Sequence, residues 1–219
     1  MKKKLAIIHT TPVTIEPLKD LAARMIGDCE IINLVDDSIL PQLGQNGGNI
    51  QEIADRWESY AKVAEQLGAD CILNACSSIG ELVTYTQPKV STPIVRIDEA
   101  MAEYAVNKAE KIGVAATLET TLKPTLKLLK QKAAQKNKNI EFEPILVASA
   151  YQKLIANDKE GHDLDLATAL MDLAEKVEIV VLAQASMARV VASFTTEEQK
   201  RFVTSPELGM ESVKRTLQK

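Results

Sequence analysis

The sequence predicts an α/β fold built on mostly parallel sheets, and three observations carry that expectation. Short apolar or β-branched runs alternate with longer stretches whose apolar residues recur at helical spacing, the order of a parallel sheet covered by helices. Two of the runs also return after a nearly constant interval. Ile72-Leu73-Asn74-Ala75-Cys76-Ser77-Ser78 overlays Val180-Val181-Leu182-Ala183-Gln184-Ala185-Ser186 at an offset of 108, and Leu5-Ala6-Ile7-Ile8-His9-Thr10 overlays Ile112-Gly113-Val114-Ala115-Ala116-Thr117 at 107. Periodicity alone leaves two readings of this repeat open: a duplicated lobe, or the chance likeness of short apolar strands. Finally, 219 residues suffice for one to two domains with a sizeable core, and no Ser- or Pro-rich linker divides them.

Each element has its own signal. Residues 5–9 form an apolar run that stops at His9-Thr10-Thr11-Pro12, a first strand. Glu16-Pro17 opens a helix with proline at its first position; Leu18, Leu21, Ala22 and Met25 share one face, and Gly27 supplies the stop. Residues 29–34 read as a second strand leading into a polar loop over 35–49 with glycines at 44, 47 and 48. Connections in compact domains typically run about 4–6 residues, so this loop is either a lid over a site or a plain surface connection. Asn49 and Glu52 form a capping-box pair for a long helix through Ile53, Trp57, Ala61 and Ala64, which Gly68 ends. Residues 71–74 are a strand, Ser78 and Glu81 another capping box, and 93–97 a fourth strand. The pattern then restarts with a strand over 111–116, a helix over 121–134 and a strand over 141–147. Asp163 caps a helix with Leu166, Leu170 and Leu173 inward, and 178–183 is the last strand of the series.

Composition removes several classes of function. The chain is 46% hydrophobic and 26% charged, and its mean hydropathy is −0.06, the balance of a globular protein. No apolar run approaches the ~18–20 residues of a spanning helix, so no membrane role is expected. Met1-Lys2-Lys3-Lys4 followed by Leu5-Ala6-Ile7-Ile8 is basic then apolar, but the apolar part falls short of the ~7–15 residues of a secretory signal. A net charge of −4, a pI of about 5.4 and only 4% aromatics argue against nucleic-acid binding. Three cysteines and two histidines support neither a disulfide framework nor a zinc site. GxGxxG, P-loop, GxSxG and HExxH motifs are all absent. What remains is a cytoplasmic α/β protein acting on something small, with no metal.

Ligands in open α/β sheets bind beyond the carboxyl ends of the strands. The residues there are His9, Thr10 and Thr11; Cys76, Ser77 and Ser78; Arg96 and Asp98; Thr117; and Gln184, Ala185 and Ser186. Cys76 follows a strand and directly precedes a capped helix, whose exposed amides lower a thiol's pKa and can also hold a carboxylate. Its alternative is the small core hydrophobe that Cys29 and Cys71, both within strand runs, are read to be. His9 is a candidate acid or electrophile, or a hydrogen-bonded structural histidine. Thr10, Thr11, Ser77, Ser78, Thr117 and Ser186 can bind a carboxylate, helix capping being the competing role. Arg96 and Arg189 read as solvated or interface arginines before anion ligands, and His162 as a surface residue.

At Asn74-Ala75-Cys76-Ser77-Ser78 and at Val180-Val181-Leu182-Ala183-Gln184-Ala185-Ser186-Met187-Ala188 the chain resembles the aspartate/glutamate/hydantoin racemase superfamily, which includes maleate isomerase and arylmalonate decarboxylase. The resemblance extends through the Thr-rich end of the first strand, the Pro93 strand, the Gly113-Val114-Ala115-Ala116-Thr117 restart and Thr204-Ser205-Pro206. It implies two pseudo-symmetric lobes, residues 1–97 with 205–219 and residues 98–204, with the active-site cleft between them. It also implies cofactor-free proton transfer at the carbon next to a carboxylate, by two cysteines facing that carbon from opposite sides. Cys76 matches the first of these and Gln184 stands where the second belongs; a carboxamide carries no proton in that role. The expected protein is therefore an isomerase, racemase or lyase of a small carboxylic acid with Cys76 as the single thiol and Gln184 binding substrate. Asn74, Thr10, Thr11, Ser77, Ser78, Thr117, Ala185 and Ser186 would bind the substrate as well. A racemase using His9 as second base and a non-catalytic small-acid binder are the alternatives. A homodimer is expected from the family.

Overall fold

The computed structural model describes residues 2–184 and 187–218, so Ala185 and Ser186 lie outside the described residues. The chain divides into two compact units, Met1–Asp98 with Pro206–Lys219, and Glu99–Ser205.

The sheet of the first unit consists of β1 (Lys3–His9), β2 (Cys29–Val35), β3 (Cys71–Asn74) and β4 (Ile94–Arg96), all parallel in the order β2-β1-β3-β4. Its connections are α1 (Ile15–Met25), α2 (Ile39–Gln45), α3 (Gln51–Gln66) and α4 (Glu81–Thr86). Alternate side chains of a strand face opposite sides of the sheet, and here both sides are covered. Ala6, Ile8 and Ile72 pack with Ile39 and Leu43 of α2, Ile53 and Trp57 of α3 and Leu82 of α4. Leu5, Ile7, Cys71 and Leu73 pack on the other side with Leu18 and Leu21 of α1 and with Met210, Val213 and Leu217. This two-sided burial is why the strands read as continuous apolar runs.

The second unit repeats the plan with β5 (Lys111–Ala116), β6 (Glu141–Leu146), β7 (Ile179–Leu182) and β8 (Phe202–Val203), parallel in the order β6-β5-β7-β8. Its helices are α5 (Glu99–Lys108), α6 (Glu119–Gln135), α7 (Ala148–Ile155), α8 (Lys159–Ala174), α9 (Ala188–Val191) and α10 (Thr196–Gln199); α11 (Ser205–Leu217) returns to the first unit. The two sheets share individual hydrogen bonds as well as strand order. Asp70 N donates to Lys4 O and Glu178 N to Lys111 O; Ile72 N donates to Pro93 O and Val180 N to Arg201 O; Ala75 N donates to Ile8 O and Ala183 N to Ala115 O. An acidic side chain clamps the first strand in each sheet, Asp70 Oδ2 accepting from Lys4 N at 2.8 Å and Glu178 Oε2 from Lys111 N at 2.8 Å. Of the two readings of the repeat, the structure selects duplication, and it makes Cys76 and Gln184 equivalent positions.

Several local expectations are corrected. Residues 35–49 are not a plain polar loop, because Ile39 and Leu43, one helical turn apart, are fully buried and draw the segment into α2. Asn49 does not close a reciprocal capping box: its Oδ1 accepts from Gln51 N at 3.2 Å while its Nδ2 donates to Glu52 Oε1 at 3.2 Å. Pro17 is the third residue of α1, not the first. Ser78 does not cap α4; it lies in a 3-10 turn, Ser77–Ile79, and Gly80 precedes the helix. Asp163 lies inside α8, whose cap is Asp158, with Oδ1 accepting from Gly161 N at 2.9 Å. His162 is accordingly buried, its Nδ1 2.7 Å from Asp163 Oδ1, rather than on the surface.

Candidate active site

The carboxyl ends of β1 and β3, neighbours at the middle of the first sheet, bring Thr10 and Cys76 together. β1 ends at His9, whose side chain is fully buried with both ring nitrogens engaged, Nδ1 with Thr14 Oγ1 at 2.8 Å and Nε2 with Asn33 Oδ1 at 2.9 Å. Burial pushes the His9 pKa down against the bond to Asn33, so the ring is neutral near pH 7, with both nitrogens engaged by protein partners. This is the geometry of a structural histidine. Thr14 and Asn33 are partners the sequence reading missed; Asn33 is the one polar break in the run Ile31-Ile32-Asn33-Leu34, and that break was the signal. Thr11 occupies the cap position of the 3-10 turn Pro12–Thr14.

Beyond β3 the chain stays extended at Cys76 (φ −134°, ψ 117°) and then tightens into the turn Ser77–Ile79. Ser77 and Ser78 are both buried there. Hydrogen bonding from the Thr10 and Ser78 side chains and from the Ser78 and Ile79 backbone favours the Cys76 thiolate. Burial outweighs it, and the Cys76 pKa is raised. The expected depression of this pKa is corrected. The turn is three residues long and offers little dipole, whereas its surroundings exclude the water that would solvate a thiolate. Near neutrality Cys76 is a thiol. Cys29, half-buried, and Cys71, in the core, are also raised by burial, Cys71 to about 12.

Asn74, the last residue of β3, has no exposed surface and donates from Nδ2 to the Cys76 carbonyl at 3.1 Å. Arg96, at the end of β4, is buried and bound in bidentate fashion to Asp98, Nε to Oδ1 at 2.6 Å and Nη2 to Oδ2 at 2.9 Å. The expectation of a solvated Arg96 is therefore corrected, since a planar fork facing a carboxylate two residues away satisfies both charges internally. Arg189 is half exposed and pairs with Asp163. Gly80 belongs to this region too: a Cβ there would lie 2.2 Å from Arg96 Nε, so only glycine admits the guanidinium. The glycine at the end of Cys76-Ser77-Ser78-Ile79-Gly80 was the readable sign of a close approach.

In the second unit the equivalent strand ends bring Thr117 to Gln184. Gln184 Oε1 accepts from Thr117 N at 2.7 Å and from Thr117 Oγ1 at 3.0 Å. With its oxygen so engaged, the carboxamide has its Nε2–H donors left to present. Thr10 with Cys76 and Thr117 with Gln184 are the same pair of positions, a threonine holding the head group that follows the next strand. Among the described residues no group of three or more His, Cys, Asp or Glu is placed to hold a metal, and no helix is long and apolar enough to cross a membrane.

Two parallel four-stranded sheets of identical order, each with a threonine-held side chain beyond its third strand, define a duplicated α/β protein with Cys76 and Gln184 at equivalent positions. The chain belongs to the Asp/Glu/hydantoin racemase family, whose model matches residues 6–213. No curated protein is similar enough in sequence to match. Solved structures share the fold: an aspartate racemase from Picrophilus torridus (TM-score 0.78, 13% identity, covering 99% of this chain and 94% of that one) and a glutamate racemase isoform from Bacillus anthracis (0.77, 14%, 99% and 82%). An allantoin racemase from Klebsiella pneumoniae is similar over 99% of this chain and 88% of its own (0.65, 16%).

Proposed function

We propose that this protein is a cofactor-independent isomerase, racemase or lyase acting at the carbon next to the carboxylate of a small acid, with Cys76 as its single catalytic thiol. The observation that carries the reading is the four-donor setting of the Cys76 sulfur at the carboxyl end of β3. A sulfur that alternates between thiol and thiolate needs donors ready for the charged form, and a plain core cysteine does not. Because the resting group is a thiol, it can directly protonate the carbanion left when a carboxylate departs as carbon dioxide; in an isomerisation or racemisation the sulfur must first lose its proton to solvent, take the α-proton as thiolate, and return a proton from the thiol so formed. Gln184 exchanges no proton and binds substrate through Nε2–H. In this reading Thr11 and Ser77, together with Ala185 and Ser186, bind the substrate directly, while Thr10 and Ser78 support the sulfur, Thr117 holds Gln184, and Asn74, buried and tied to the Cys76 carbonyl, supports the turn. His9 has neither ring nitrogen free for proton transfer and serves as support. A cytoplasmic homodimer fits the family.

The test is incubation in heavy water with D- and L-aspartate, D- and L-glutamate, hydantoins, maleate and an arylmalonate, followed by NMR. Deuterium entry, isomerisation or loss of carboxylate in the natural protein, abolished by Cys76→Ser, is the expected result. A second reading, a non-catalytic binder of small acids, draws on the raised Cys76 pKa. It prevails if an acid binds and protects Cys76 from alkylation while none is turned over.

A further inference from the structure

Cys76 lies beyond the last ladder pair of β3, which joins Asn74 to Arg96, yet its backbone has to be held extended for the following amides to turn back on its sulfur. Contacts at both ends of the turn do this. At the far end Gly80 packs directly on the Arg96 guanidinium, itself fixed by Asp98. At the near end the Asn74 backbone is locked, its carbonyl accepting from Ile97 N at 3.1 Å, and its side chain reaches forward to the Cys76 carbonyl. In that orientation Asn74 Oδ1 is buried with no hydrogen-bond partner among the described residues. An orphaned buried carbonyl is costly, so the orientation is maintained for what Nδ2 does. Flipping the amide would set two carbonyl oxygens against each other and lose the contact.

We propose that Asn74 is the positioning residue of Cys76: its amide, tied to the Cys76 carbonyl, sets the turn that aims the Ser78 and Ile79 amides at the sulfur. This deepens the proposed function and rests on Cys76 being its thiol, but the test reads the thiol itself. The charged residues at the turn's far end, Arg96, Asp98 and Glu81, are the same in every variant compared.

The experiment follows iodoacetamide alkylation of each cysteine by mass spectrometry across roughly pH 6 to 11 in the natural protein, Asn74→Ala and Asn74→Asp. Loss of aligned amides disfavours the thiolate, so the Cys76 midpoint should rise by about one pH unit in Asn74→Ala, roughly ten-fold slower alkylation below the midpoint. Asn74→Asp keeps the size but replaces the donor by an acceptor whose own charge also disfavours the thiolate, so its shift should exceed that of Asn74→Ala. Asn74→Leu, uncharged and of similar size, carries the test if Asn74→Ala does not fold. Access to the buried sulfur alters the plateau rate but not the midpoint. The Cys71 profile should not move. Equal Cys76 midpoints in all three proteins, or a Cys71 profile that moves with Cys76, would overturn the proposal. Absence of turnover with every acid would count against the proposed function and leave this comparison intact.

Discussion

Cys71 and Cys76 place one side chain in two surroundings. Cys71 sits in the core with its thiol donating to the Ile72 carbonyl at 3.8 Å, and no donor offsets the burial that, with Cys29 and Asp70 nearby, takes its pKa to about 12. Cys76 suffers the same desolvation but meets four donors, the difference between a packed thiol and one prepared to ionise. The raised values have a consequence for stability. Between the free-thiol pKa near ~8.5 and about 12 the folded chain keeps the Cys71 proton that the unfolded chain has released, so stability falls as pH rises. The contribution is fully present below that window and is lost through it, with a slope of up to about 1.4 kcal/mol per pH unit for one thiol. Urea denaturation between roughly pH 8 and 10.5 should therefore show a shallower decline in Cys71→Ala than in the natural protein, and equal slopes would contradict the account. Cys76 was readable in the sequence because a cysteine between a strand and a turn is conspicuous. The sign of its pKa shift was not readable, because desolvation is set by what packs around the sulfur and not by the residues beside it in the chain.

At the scale of elements, legibility followed periodicity. Strands buried on both sides and helices with a regular apolar stripe, such as α1 and α3, can be read directly. α2 was hidden because Pro41, Gly44 and the polar residues on either side of it mask its single buried pair, Ile39 and Leu43. Long-range bonds hold that segment: Asp36 accepts from Tyr60 Oη at 2.9 Å and pairs with Arg56 at 3.0 Å, while Arg56 also donates to Gln42 Oε1 at 2.8 Å. The start of α8 was misplaced for a related reason, since Asp158 and Asp163 are both eligible caps and only the burial of His162 decides between them. The α2 and α3 layer converges on Trp57, which has no exposed surface and joins the core with Ile39, Leu43 and Ala6. Trp57→Ala should cost about 3–5 kcal/mol, the range for a large aromatic removed from a close-packed core. Denaturant titration measures it, and a loss under ~1 kcal/mol, the scale of an exposed substitution, would mean that the layer closes over the gap.

For the whole molecule, duplication explains why short motifs were informative at a distance: the offsets of 107 and 108 that overlay the two pairs of motifs in sequence also relate the β1–β3 and β5–β7 hydrogen bonds. No change of composition marks the division between units, and only the resemblance suggested where it falls: the chain leaves the first unit at Asp98 and returns to it with α11. That return is structural. Gly209 passes so close to the end of β4 that a Cβ would lie 2.6 Å from the Ile97 carbonyl oxygen, and Met210, Val213 and Leu217 cover Leu5, Ile7 and Leu73. Each large apolar side chain buried contributes roughly 1.5–3 kcal/mol. Losing three removes an amount comparable to the ~5–15 kcal/mol that holds a typical domain folded. The second unit keeps its own core, Leu166, Leu170, Leu173, Val180 and Leu182, entirely within residues 99–205. A chain ending at Ser205 should then lose amide protection throughout β1 and β3 while β5 and β7 remain protected, as read by hydrogen exchange with mass spectrometry. Equal loss in both sheets would show that the two units unfold as one cooperative body, and unchanged protection of β1 would show that α11 covers a face the first sheet can do without.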